Sequence, residues 1–149
     1  MVAMLSRPAR TQWQVMSFAS TLYLSPILEL LLEAVPQEWH MEVRLGLQEA
    51  LVNAAKHGNA LDPGKQVEVR YQINNGECTW IIVDQGCGFE PPEVCHACEA
   101  EDWIGDEQEC GRGLFILHQI FDQVAWSPCG TELHLRKQMR HIARSPYLI

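Results

Sequence analysis

Glu49-Ala50-Leu51-Val52-Asn53-Ala54-Ala55-Lys56-His57-Gly58-Asn59 is the stretch on which the reading of this chain turns. Glu49, Asn53 and His57 recur at i, i+4 and i+8, which on an α-helix sets a carboxylate, a carboxamide and an imidazole in one row. Trp39, Val43, Leu47, Leu51 and then Ala54 or Ala55 keep the same period on an apolar stripe, so the row belongs to a long helix over about residues 38–57. Gly58 or Asn59 is suited to end that helix in the left-handed conformation. The polar row has two readings. One is a solvated face. The other is a working face, with Asn53 offering a carbonyl oxygen to a hard cation such as Mg²⁺, Glu49 acting as general base, and Lys56 and His57 meeting phosphate oxygens.

Outward from this helix the patterns alternate between the two regular periods. Upstream, Ser25-Pro26 reads as a capping hydroxyl followed by proline at the first helical position, opening a helix over 27–35 that Pro36 stops. Before it, residues 12–20 alternate as a first strand. Downstream, Val67, Val69, Tyr71 and Ile73 alternate as a half-buried strand, and Asn74-Asn75-Gly76 marks a hairpin into an apolar strand over 79–83. A helix over 113–121 and a closing hairpin, 124–127 with 132–136, complete the set. The sum is a single α+β domain over 1–149, a two-layer sandwich with a mixed, mostly antiparallel sheet and helices on one face. Residues 90–110 lack periodicity and read as a lid, and 136–149 as a basic C-terminal tail.

Three glycine motifs follow the helix in order. Asp84-Gln85-Gly86-Cys87-Gly88-Phe89 sits where the apolar strand opens into a turn. A carboxylate there is costly to bury without a donor, and an exocyclic amine such as adenine N6 would supply one; Gly86 and Gly88 would let backbone approach the ring. The bland alternative is an Asp starting a tight turn. Gly111-Arg112-Gly113-Leu114 precedes a helix, where backbone N–H groups and the Arg112 guanidinium suit phosphate; the alternative is a hinge. Gly130-Thr131 is a turn by default, with Thr131 placed to donate to a base.

Taken as an ordered set over roughly residues 12–137, these motifs resemble the GHKL or Bergerat ATP-binding fold. Within it the chain is most similar to the small bacterial anti-sigma factor serine kinases of the RsbW and SpoIIAB type. The resemblance implies ATP and Mg²⁺ as ligands, Glu49 as catalytic base and Asn53 as magnesium ligand. It also implies Asp84 and Thr131 at the adenine, Gly86 and Gly88 as the first glycine box, and Gly111 and Gly113 as the second. The implied activity is transfer of the ATP γ-phosphate to a serine of a STAS-domain anti-anti-sigma protein, alternating with sequestration of a sigma factor, in a homodimer. One departure touches the transfer step. Some relatives carry an arginine just before the second glycine box, where this chain has Glu109 and Cys110, with Arg112 between the glycines instead.

Composition sets the remaining bounds. With a net charge of −8 the chain lacks the basic face that sequence-independent nucleic-acid binding needs. No apolar run approaches the ~20 residues of a membrane helix, and Met1 to Arg10 lacks a signal-peptide pattern, so a cytoplasmic protein off the membrane is expected. The lid carries Glu90, Glu93, Glu99, Glu101, Asp102, Asp106, Glu107 and Glu109 without one Lys or Arg, whereas Arg136, Lys137, Arg140 and Arg144 cluster at the C-terminus. Cys95-His96-Ala97-Cys98 has the spacing of half a zinc site or a redox pair, but no second close pair completes it, and incidental lid cysteines are the favoured reading. Three functions fit the motifs. These are a serine protein kinase and anti-sigma switch, a nucleotide-dependent protein-binding regulator with little transfer, and, ranked last, the catalytic domain of a histidine kinase. The last expects an upstream dimerising helix pair, for which few residues precede the first strand.

Overall fold

The computed structural model describes residues 12–87 and 107–139, with the backbone alone for 107–111. Gly88, Cys95, Cys98, most of the expected lid and the tail beyond Met139 lie outside the described residues.

The strands are β1 (Gln14–Ala19), β2 (Gln66–Asn74), β3 (Glu77–Val83), β4 (Gln123–Trp126) and β5 (Glu132–Gln138). They form one sheet in the order β1-β2-β3-β5-β4. Every pairing is antiparallel, so the mixed sheet expected from sequence is wholly antiparallel among the described residues. Register follows from period-2 alternation: Met16 pairs Val69, Val69 pairs Ile82 and Ile82 pairs Leu133, giving an apolar row across four strands. A slip of one residue would turn that row to solvent. Asn75 and Gly76 take φ of 50° and 75°, the two left-handed positions a tight β2–β3 hairpin requires.

The apolar face of the sheet packs against α1 (Ser25–Leu32), α2 (His40–Val52) and α3 (Glu107–Ile120) in one core that includes Leu28, Leu31, Val43, Leu47, Leu51, Trp80 and Leu117. A 3₁₀ turn, Gln37–Trp39, leads into α2, and a π-helical turn, Asn53–Gly58, ends it. Two contacts fix where α3 lies. A methyl group at Gly46 of α2 would stand 2.5 Å from the Phe121 ring, so the missing side chain lets the end of α3 come close. Lys137 is buried on β5. Its Nζ donates to the Ile120 carbonyl at 2.7 Å, lies 3.5 Å from the exposed Glu42 carboxylate and stands 4.6 Å from the Trp39 ring centre. A cation at a helix C-terminus satisfies its last carbonyls and complements its dipole.

Four boundaries differ from the sequence expectation. Ser25 is the first helical residue and not the cap: Leu24 holds the cap position without a side-chain bond. The Ser25 hydroxyl instead accepts from Arg44 of α2. α1 ends at Leu32, three residues early. Left-handed residues follow α2, but they are Ala60 (φ 52°) and Leu61 (φ 55°) and not Gly58 or Asn59. α3 begins at Glu107, six residues early, so it absorbs the last part of the expected lid and both glycines of the second box.

Candidate nucleotide site

The end of α2 departs from α-helical winding where the polar row begins. The Asn53 N–H is shared between the carbonyls of Glu49 and Ala50, and the Asn59 N–H bonds the Ala54 carbonyl five residues back. A π-turn takes more residues per revolution than an α-turn and is frequent at functional sites. The straight row from Glu49 to His57 is therefore broken after Asn53. Glu49 and Asn53 stay on one face, half-buried, whereas Lys56 and His57 are exposed on the π-turn.

α3 meets that face at Gly113. A methyl group placed at Gly113 would lie 3.3 Å from Glu49 Oε2, 3.4 Å from Asn53 Nδ2 and 3.8 Å from Asn53 Oδ1. The structure thus gathers one predicted residue from the second glycine box and two from the helix. Gly113 is buried, Leu114 half-buried and Arg112 exposed on α3. The expectation that Gly111-Arg112-Gly113 forms the open start of a helix is corrected: both glycines lie inside α3, beyond the free N–H groups of its first turn.

The close of the π-turn after α2 meets a second cluster. Asp84 continues the β3–β5 ladder by one bond, its N–H donating to the Thr131 carbonyl at 3.0 Å, so two residues distant in sequence share one corner. Gly86 N–H donates to Asp84 Oδ1 at 2.9 Å and fixes one side of the carboxylate. Gly58 lies under that carboxylate: a methyl group there would be 2.5 Å from Asp84 Oδ2 and 2.8 Å from Oδ1. At Gly86 a methyl group would overlap the Gly58 carbonyl oxygen. Two backbones and a carboxylate therefore meet at a closeness only glycine permits. Burial pushes the Asp84 carboxyl above its usual range, and the Gly86 N–H and the Lys65 charge pull it back in part. A ligand amine donating to this carboxylate would relieve that desolvation.

The sequence profile of the histidine kinase-like ATPase domain matches residues 24–137, from Leu24 before α1 to Lys137 on β5. The chain belongs to the histidine kinase-like ATPase family. No curated protein matches it. The domain is of the nucleotide-binding, ATP-using type. In this chain both clusters lie where α2 finishes, one against its last α-turn and one at the close of the π-turn.

No group of three or more His, Cys, Asp or Glu side chains that could cage a metal occurs among the described residues. Nor is any helix among them long and apolar enough to cross a membrane. Sequence reasoning missed two residues of the site. The spacing marks Gly58 and Asn59 only as a helix stop, yet Gly58 supports Asp84 and the fully buried Asn59 accepts from the N–H of Gln85, directly after Asp84. The signal available was the Gly-Asn pair directly after the polar row.

Proposed function

We propose that this chain is an ATP-dependent serine protein kinase and anti-sigma factor. It would phosphorylate a serine of a STAS-domain anti-anti-sigma protein and hold a sigma factor in the alternative state. The observation that supports this reading is the packing of Gly113 against Glu49 and Asn53, with Asp84 and Thr131 clustered at the close of the π-turn that follows. Adenine would sit at Asp84 and Thr131, and the phosphates would lie toward Gly113, with Lys56, His57 and Arg112 as the charged groups nearest in sequence. Asn53 offers a neutral oxygen beside the Glu49 carboxylate, a donor set that suits a hard cation keeping several waters and one or two protein ligands. A magnesium ion held there would neutralise charge on the phosphates. In the transfer step the serine oxygen forms a bond to the γ-phosphorus, the bond to the ADP oxygen breaks, and Glu49 takes the serine proton.

One observation favours a second reading, a nucleotide-dependent protein-binding regulator with little transfer. The backbone amides of Gly111 and Gly113 lie within the α3 ladder and not at an open helix start. A single assay separates the two. The chain is incubated with magnesium-ATP and a STAS-domain protein, and phosphoserine is read by mass spectrometry for wild type and Glu49→Gln. Serine phosphorylation that Glu49→Gln loses while still binding ATP supports the kinase. ATP binding without transfer to any STAS partner supports the regulator.

A further inference from the structure

Asn59 is fully buried, and among the described residues the other buried polar or charged ones are Ser20 and Lys137. Its amide is fully engaged. Nδ2 donates to Ser20 Oγ at 2.9 Å and to the Gln66 carbonyl at 2.9 Å, and Oδ1 accepts from the Gln85 N–H at 2.7 Å. The orientation is forced, because a flipped amide would set its NH₂ against the Gln85 N–H and its oxygen against the Gln66 carbonyl. Ser20 passes the chain on, donating from its hydroxyl to the Lys65 carbonyl at 2.9 Å. Gln85 is held a second time, its Oε1 accepting from the Gln66 N–H at 2.7 Å. One side chain thus ties the end of β1, the start of β2, the π-turn and the residue directly after Asp84.

We infer that Asn59 is the positioning residue for base recognition. It fixes the peptide between Asp84 and Gly86, and so sets the aim of the carboxylate that discriminates adenine from guanine. This rests on the nucleotide-binding reading above. The chemistry of discrimination is simple. Adenine presents an amine at its six position and guanine a carbonyl oxygen, so a rigid carboxylate accepts from one and repels the other. A carboxylate free to turn away loses the attraction and the repulsion together. Buried side-chain networks of this kind act as units, so removal of one member is felt at the atom they hold.

The test is calorimetric binding of ADP, GDP and inorganic tripolyphosphate to wild type, Asn59→Ala, Ser20→Ala, Asp84→Asn and the Asn59→Ala/Asp84→Asn double variant. Asn59→Ala is expected to weaken ADP at least about tenfold and to collapse the ADP-to-GDP preference, with tripolyphosphate unchanged. The double variant should bind ADP within about twofold of Asp84→Asn alone, because both changes remove the same interaction. Ser20→Ala removes one of the three bonds and should give a smaller shift of the same kind, which keeps the test open if Asn59→Ala fails to fold. An ADP-to-GDP ratio kept in the Asn59 and Ser20 variants, or strictly additive losses in the double variant, overturns the proposal. A wild type that binds no nucleotide overturns the underlying reading and the proposal with it. A wild type that binds ADP and loses it in Asp84→Asn but not in Asn59→Ala overturns the role of Asn59 alone.

Discussion

The candidate site has two ends, both where α2 finishes, one against its last α-turn and one at the close of the π-turn, and they are built differently. At the Asp84 end, backbone touches backbone: Gly58, Gly86 and the Asp84 carboxylate interlock, and four hydrogen bonds of 2.7–3.0 Å hold the loop to Asn59, Gln66, Thr131 and itself. At the Gly113 end, two helices face each other across a missing side chain, and the nearest atoms are the ends of Glu49 and Asn53. Backbone contacts have no rotamers with which to yield, whereas side-chain ends do. A rigid corner suits the recognition of a flat base by a few fixed atoms. A helix face with movable carboxylate and carboxamide ends suits groups that must follow a phosphate and a metal ion through a reaction.

The largest effect should come from breaking the rigid end at its tightest point. Gly86→Ala puts a methyl group onto the Gly58 carbonyl oxygen and 3.0 Å from Asp84 Oδ1, and the Gly58 carbonyl is backbone that cannot rotate away. Overpacking of this kind costs about 1–3 kcal/mol of stability. Nucleotide affinity should fall at least about a hundredfold, because the carboxylate is displaced along with the loop. Differential scanning fluorimetry and ADP titration check both parts. A Gly86→Ala protein with wild-type ADP affinity would show that the corner is not the base site.

The same substitution at the other end should behave in the opposite sense for stability. Gly113→Ala replaces a helical glycine by the best helix former, a gain of roughly 0.5–1 kcal/mol. Its methyl group lies 3.3 Å from Glu49 Oε2 and 3.4 Å from Asn53 Nδ2, so both side-chain ends must shift by a few tenths of an ångström. The expected outcome is an unchanged or raised melting temperature. Magnesium-dependent ATP affinity should drop by about tenfold, and ADP affinity without magnesium should be unaffected. Equal losses with and without magnesium would place the phosphates elsewhere.

The contrast between the ends also explains what the sequence made legible. The apolar stripe from Val43 to Leu51 and the alternation of Val67, Val69 and Tyr71 are periodic over many residues, so α2 and β2 could be read from spacing alone. Glu49, Asn53, Asp84 and Gly113 could be read because each stands at a regular offset or beside a glycine. The π-turn could not: Ala54, Ala55 and Lys56 carry no sign of a changed winding, which becomes favourable only once Gly58 and Asn59 have partners from β1, β2 and the Asp84 loop. The same holds for the close of α3, where the Ile120 carbonyl is held by Lys137 from β5. Local pattern fixed the faces; long-range contacts fixed the ends of the elements, and the site is made of ends.

The smallest effect is a reporter confined to the rigid corner. Cys129 is an exposed thiol in the β4–β5 turn, with Ser127 Oγ at 3.5 Å and Thr131 Oγ1 at 3.2 Å from its sulfur. The Ser127 hydroxyl already accepts from the Glu132 N–H at 3.2 Å, so its own hydrogen is free to point at Cys129. Donation by Ser127 first, and by Thr131 second, stabilises the thiolate and pulls the Cys129 pKa down to about 7. The thiolate is the reactive form, so alkylation at Cys129 should rise with pH, reach half its maximum near pH 7 and level off above it. An ordinary thiol reaches half its maximum only at about pH 8.5. Iodoacetamide labelling read on the Cys129 peptide by mass spectrometry checks this. Ser127→Ala should move the midpoint upward, toward the ordinary value, and more than Thr131→Ala does. ADP should slow labelling in wild type and not in Asp84→Asn, because Thr131 stands one backbone bond from Asp84. Gly113→Ala should leave both the midpoint and the ADP protection as they are. A change there would mean that the two ends of the candidate site are coupled and that the division drawn between them is wrong.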